Sequence, residues 1–215
     1  MTRGSFLPSH HAFAFSNSWP TQPVVTLDTP FGDVEIGEAR GGLCGGMVFA
    51  ALDFWYAGAA PPPDRPTRRD GLYRFIVRRL IDSWHLPAGV AQYYQWMNLP
   101  DADISFDVLG RKVVVERGLA WRTLRVQWPQ VKADLARGIP VPLGVVTVAS
   151  RDPRDLGLNH QVLAYGYETA GHRATVRVYD PNRAGRDDVR IGFSTHNATR
   201  PVTFDHNLGL RRPVR

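Results

Sequence analysis

The chain has 215 residues, of which 43% are hydrophobic and 21% charged, with six Trp, seven Tyr and a net charge of +6. That length and apolar content suit one large domain with a real core and exclude wholesale disorder. The basic excess does not point to nucleic acid: Lys112 and Lys132 are the only lysines among 26 basic residues, and the arginines are scattered, often beside acids as in "RDPRD" and "GRDDVR".

Taken in chain order, residues 1–40 read as irregular with short extended pieces. Phe13 and Phe15 alternate with small residues, prolines punctuate the rest, and "VVTLDTPFGDVEI" suits two short strands around a turn at Pro30–Asp33. From Cys44 the period changes. "CGGMVFAALDFWYAG" carries Met47, Val48, Ala51, Leu52 and Trp55 at helical spacing with Gly58 as its stop, a helix apolar enough to be central. "AAPPPDRPTR" is a proline-stiffened loop. "RRDGLYRFIVRRLIDSWHLP" follows as an amphipathic helix, with Leu72, Phe75, Ile76, Leu80 and Trp84 on one face and its arginines on the solvated one.

"AGVAQYYQWMNLP" is a third helix that ends before Pro100. "WPQVKADLARGIP" is a short fourth one, with Pro129 in its first turn and Gly138 after its end. Thereafter the pattern is that of strands: "VPLGVVTV", "NHQVLAYGYE" and "ATVRVYDPN", then mixed extended structure. No repeat or long linker divides the chain. The expectation is a single α+β domain over 1–215: a helical lobe over about 41–138, and a β lobe over about 139–215 together with the N-terminal extended segment 1–40, meeting at a cleft.

Cys44 is the only cysteine, so no internal disulfide is possible. The N-terminus lacks the apolar stretch of about 7–15 residues that a signal peptide needs. No run approaches the roughly 20 apolar residues of a membrane span. A cytoplasmic protein with no membrane partner is expected.

The chemistry-bearing residues converge on a hairpin. If the strand from Asn159 pairs with that from Thr175 around Gly171, the partner of His160 falls at 180–182, and an imidazole and the Asp180 carboxylate come to one rung, within hydrogen-bond reach. Pro181 ends the ladder, because it has no N–H to donate. Cys44 stands at a helix N-terminus, where unpaired N–H groups and the helix dipole stabilise a thiolate. Flanking glycines allow close approach, and the N–H groups, Gly45 among them, can donate to an oxyanion. Cys44, His160 and Asp180 thus suit nucleophile, base and orienter, with Asn182 in reserve as a second orienter.

A Cys at a helix head, a His opening a strand 116 positions later and an Asp 20 positions beyond it resemble the papain-like cysteine peptidases. "NHQVLAYGYE" and "VYDPN" are most similar to the peptidase C39-like branch. The similarity covers about 41–56 and 158–185. It implies a papain-like two-lobed fold, with a helical lobe carrying Cys44 on its central helix and an antiparallel β lobe carrying His160 and Asp180. It also implies a cysteine hydrolase, a peptidase or amidase working through an acyl-enzyme on a peptide, amide or thioester substrate. One departure stands out. That family has a Gln a few residues before the nucleophile to complete the oxyanion hole, whereas "GEARGGL" precedes Cys44 here. Asn17, Arg40 and Gln95 are the replacement donors to consider.

"RGGLC" also resembles the cysteine motif of arylamine N-acetyltransferases, although "GGMVF" replaces the polar residues that follow the cysteine there. Acyl transfer or transamidation by the same triad is therefore the alternative, along with a catalytically weak papain-fold binding protein. No C-x-x-C, H-x-x-x-H or H-E-x-x-H pair and no Walker loop occurs, so no metal and no cofactor are expected.

Overall fold

The computed structural model of the chain describes residues 5–19, 25–29, 32–36, 43–83, 88–196 and 203–204. Its class is α+β, built from helices and antiparallel sheets. A short α1 (Pro8–His11) is followed by the hairpin of β1 (Val25–Thr29) and β2 (Gly32–Ile36), which pair where the sequence suggests two strands. Three helices follow: α2 (Cys44–Ala57), α3 (Gly71–Ser83) and α4 (Ala88–Met97).

The helical stretch is then interrupted by a hairpin of β3 (Ile104–Val108) and β4 (Arg111–Glu116), which a purely helical reading of 41–138 does not anticipate. Next, α5 (Leu119–Arg122) runs through a π-helical turn (Thr123–Gln127) into α6 (Trp128–Ala136). The last part of the chain forms one five-stranded antiparallel sheet in the order β5-β6-β7-β8-β9. Its strands are β5 (Val141–Val145), β6 (His160–Ala170), β7 (Arg173–Tyr179), β8 (Arg190–Ser194) and β9 (Thr203–Phe204).

Period-two alternation in β6 and β7 divides the core between the two faces of this sheet. Leu163 and Tyr179 face α2 and α3, whereas Val162, Ala164, Val176 and Val178 pack with Trp128, Val131 and Leu135 of α6. A bulge between Ala164 and Gly166 adds Tyr165 to β6. The extra residue flips the alternation. Tyr165 keeps to the α2 side with Leu163, but beyond the bulge Tyr167, paired with Val176, turns to the α6 side and meets the Trp128 ring edge-on at 5.6 Å.

α2 is buried along most of its circumference, as an apolar helix without a polar stripe must be. Met47, Val48, Ala50 and Ala51 are fully covered, and Gly58 ends the helix in the left-handed conformation with φ 68°. α3 crosses so closely that a Cβ on Gly46 would collide with the Ile76 carbonyl. Of the α3 arginines, Arg79 is not simply solvated. It pairs with Asp53 of α2 at 2.6 Å and with Asp82 at 3.1 Å.

The aromatic residues Phe6, Phe13, Phe15 and Trp19 of the N-terminal segment are buried in the α2 core. The Asn17 N–H donates to the Pro181 carbonyl at 2.8 Å, tying this segment to the loop after β7. Among the described residues, no helix is long and apolar enough to cross a membrane.

Candidate active site

Three elements meet at the head of α2. Cys44 is its first residue, at 8% exposure, and no side chain caps the helix there. The N–H groups of such a first turn have no intrahelical acceptor and carry the positive end of the helix dipole. His160 opens β6, and its Nε2 lies 2.7 Å from Asp180 Oδ1. The imidazole also hydrogen-bonds Cys44. Because Nε2 is engaged by the carboxylate, Nδ1 is the nitrogen that serves the thiol.

Asp180 is fully buried, and its Oδ1 also accepts the Asn182 N–H at 2.9 Å. The sequence-predicted trio is thus assembled, though not on one rung. The last paired rung of the hairpin is Leu163↔Tyr179, and one further step would set Asp180 opposite Val162, so the carboxylate reaches His160 along a diagonal.

These contacts shift both titrations. Burial pushes the Cys44 thiol up, but the His160 hydrogen bond and charge, with the N–H groups of Gln161 and Gly45, outweigh it and hold the thiol below its ordinary value. Burial pulls the His160 imidazole down, whereas hydrogen bonds to Asp180 and Cys44 and the charges of both push it up to about 10. Both shifts run in the direction of a thiolate–imidazolium pair.

Asn17 also reaches the helix head. Its Oδ1 accepts the Leu43 N–H at 2.9 Å and the Trp19 Nε1–H at 3.0 Å. That fixes the amide orientation and turns Nδ2 outward, where it donates to Asn182 Oδ1 at 3.3 Å. Asn182 therefore links Asn17 to the Asp180 loop, and does not itself bond the imidazole. Gln95 is exposed on α4. Arg40 lies outside the described residues.

Two further side chains stand beside the nucleophile, and sequence reasoning missed the first. The carboxamide of Gln161, next to His160, lies over Gly45, where a Cβ would meet it, so the space beside the nucleophile that the glycine leaves is taken up by the protein itself. Tyr93 of α4 sits against the backbone of Gly144, the rung partner of Gln161. Its hydroxyl is buried and has no hydrogen-bond partner among the described residues, and burial, with the Cys44 charge second, raises its pKa. Among the described residues, no group of three or more His, Cys, Asp or Glu is disposed to hold a metal ion.

No protein-family model, no curated protein and no solved structure matches the chain.

Proposed function

We propose that this chain is a cysteine-dependent hydrolase, a peptidase or amidase of papain-like, two-lobed design, in which Cys44, His160 and Asp180 form an acyl-enzyme with a carbonyl substrate. The observation that carries the reading is the continuous relay Asp180–His160–Cys44 at the uncapped head of a buried helix, with the carboxylate fully buried and 2.7 Å from the imidazole. A packed, inert thiol has no use for an oriented imidazole, and a buried Asp–His pair without a third partner would be a costly way to close a strand.

The Cys44 thiolate attacks the substrate carbonyl carbon, and the C=O electrons pass to the oxygen. The oxyanion meets the Cys44 amide N–H, free at the first helical position, and the Asn17 Nδ2–H not engaged by Asn182, which takes the role of the missing Gln. The tetrahedral adduct collapses as His160 gives its proton to the leaving amine or thiol, leaving a Cys44 thioester. Water, deprotonated by the now neutral imidazole, attacks that thioester and releases the acid, and the proton left on His160 restores the ion pair. Asp180 holds the ring so that Nδ1 faces the sulfur, and it supports the imidazolium. An amine in place of water gives acyl transfer through the same intermediate.

The test is alkylation of Cys44 by iodoacetamide from pH 4 to 10, in wild type and His160→Ala. A reactive plateau in the acid range that disappears in His160→Ala is expected. Reaction only above pH 8, indifferent to His160 in a folded protein, would sink the reading.

A further inference from the structure

The hairpin of β3 and β4 takes no part in the Cys44 site, and its apolar residues face the wrong way for an ordinary surface hairpin. Rung partners share a face of a sheet, and alternate residues return to it. The register therefore sets Ile104, Phe106, Val108, Val113 and Val115 on one face, with Arg111 near the turn and Glu116 at the base. All five apolar residues are exposed, Phe106 at 62%. The strand residues that are partly covered, Ser105 and Val114, belong to the opposite face. The apolar face is thus turned away from the body of the protein.

The turn continues the pattern. Leu109 (φ 52°) and Gly110 (φ 74°) both have left-handed backbone, and such turns favour Asn or Asp where this one has a Leu that is 99% exposed. Beyond each other, the two strands make at most marginal contact with any other element. A two-stranded hairpin on its own is barely stable in water.

Two observations say what covers this face. The first is area. With Leu109, the five residues leave roughly 700 Å² open, above the roughly 300–600 Å² of the largest apolar patch on a typical monomer. Arg111 and Glu116 bring the face near the roughly 800 Å² that each partner gives to a standard interface. The second is charge. Asp103 and Arg117, below the hairpin, pair with each other at 2.6 Å, whereas Arg111 and Glu116 have no ion pair among the described residues. They carry opposite charges at opposite ends, so the face is complementary to itself when turned end for end.

We propose that two copies of the chain associate face to face through β3 and β4, about a two-fold axis that crosses the strands. That axis lays β3 on β3 and β4 on β4 in opposite directions. Phe106 and Val113 then meet their own counterparts near the centre, and Arg111 of one copy stands over Glu116 of the other, twice. A two-fold axis along the strands would instead set Arg111 over Val108 and Glu116 over Ile104, and would leave the charges against apolar groups. Packed sheets lie about 10 Å apart, a gap that opposed Arg and Glu side chains can span.

Sedimentation velocity on the full chain, over a micromolar concentration series, tests the proposal. Wild type should pass from monomer to dimer. Phe106→Asp should raise the dissociation constant at least tenfold, as loss of a central aromatic anchor does. Arg111→Glu and Glu116→Arg should each weaken the dimer roughly fivefold, because reversal sets like charges face to face. The double variant should return to within about twofold of wild type, since it restores both pairs. Melting curves report that each variant folds.

A wild type that stays monomeric throughout the series overturns the dimer. If that monomer sediments with phosphatidylglycerol vesicles and Phe106→Asp does not, the face belongs to a lipid surface instead. A dimer indifferent to Phe106→Asp lies on another face and overturns the proposal equally. A double variant that stays as weak as the single ones overturns the crossing axis.

Discussion

Asp180 reaches His160 across a diagonal of the hairpin, with Nε2 and Oδ1 2.7 Å apart although the register sets Asp180 one step past the last paired rung. Because the carboxylate has left the ladder, its Oδ1 is free to accept from both the imidazole and the Asn182 N–H, and two donors hold one buried oxygen in place. Asp180→Asn keeps the size of the side chain but removes the charge that supports the imidazolium, and it lets the ring turn. Hydrolysis of the best substrate found is expected to fall on the order of 10²–10⁴-fold, and alkylation at pH 6 to fall with it. Unchanged alkylation at pH 6 in a folded Asp180→Asn protein would remove Asp180 from the relay.

The opposite shifts of Cys44 and His160 set a pH window. A thiol held below its ordinary value ionises at lower pH than a free thiol, and an imidazole pushed up to about 10 keeps its proton through neutrality. kcat/KM should therefore rise on a limb set by Cys44 that lies below the ordinary thiol range, and fall near pH 10 as His160 loses the proton that the leaving group needs. In His160→Ala the acid limb should move up to the ordinary thiol range. A wild-type profile that rises only through that range would mean that the ion pair does not form.

Asn17 does two jobs with opposite ends of one amide, and substitution can separate them. Its Oδ1 holds Leu43 N–H and Trp19 Nε1–H, whereas Nδ2 faces Asn182. Asn17→Asp keeps the accepting oxygen and loses the donor. Its melting temperature should stay near that of wild type, while kcat falls roughly 10²–10³-fold, the loss typical of one oxyanion donor. Asn17→Ala should lose stability as well, by about 1–3 kcal/mol, because a partly buried N–H is left without an acceptor. Equal kcat in Asn17→Asp and wild type would place the second donor elsewhere.

Most of the relay was legible in the sequence because it depends on local signals. A glycine-flanked cysteine before an apolar run marks a helix head, and two β-rich runs around Gly171 bring His160 near Asp180. What was not legible depends on tertiary contact. The Tyr165 bulge shifts the register by one and leaves no mark in composition. Asn17 stands 27 positions before Cys44, so nothing in spacing singles it out from Arg40 or Gln95. Gln161 is read as an ordinary strand residue until α2 is seen beneath it. The β3–β4 hairpin was within reach: "ISFDVLGRKVVVE" alternates around Leu109–Gly110, but the helices on either side dominate the pattern.

The two glycines after Cys44 should respond differently to alanine, because different groups stand where the new Cβ would go. At Gly46 the obstacle is the Ile76 carbonyl, a backbone group that cannot move without shifting α3 off α2. At Gly45 it is the carboxamide end of Gln161, which can swing on its own torsions. Replacing Gly by Ala inside a helix ordinarily gains about 1 kcal/mol from propensity. Overpacking against fixed backbone costs about 1–3 kcal/mol. Gly46→Ala should thus be destabilising by urea denaturation, the clash outweighing the propensity gain. Gly45→Ala should be near neutral in stability yet displace the Gln161 amide from beside the nucleophile and change the rate of Cys44 alkylation. Equal stability changes at the two positions would show that neither contact governs the helix head, and that propensity alone does.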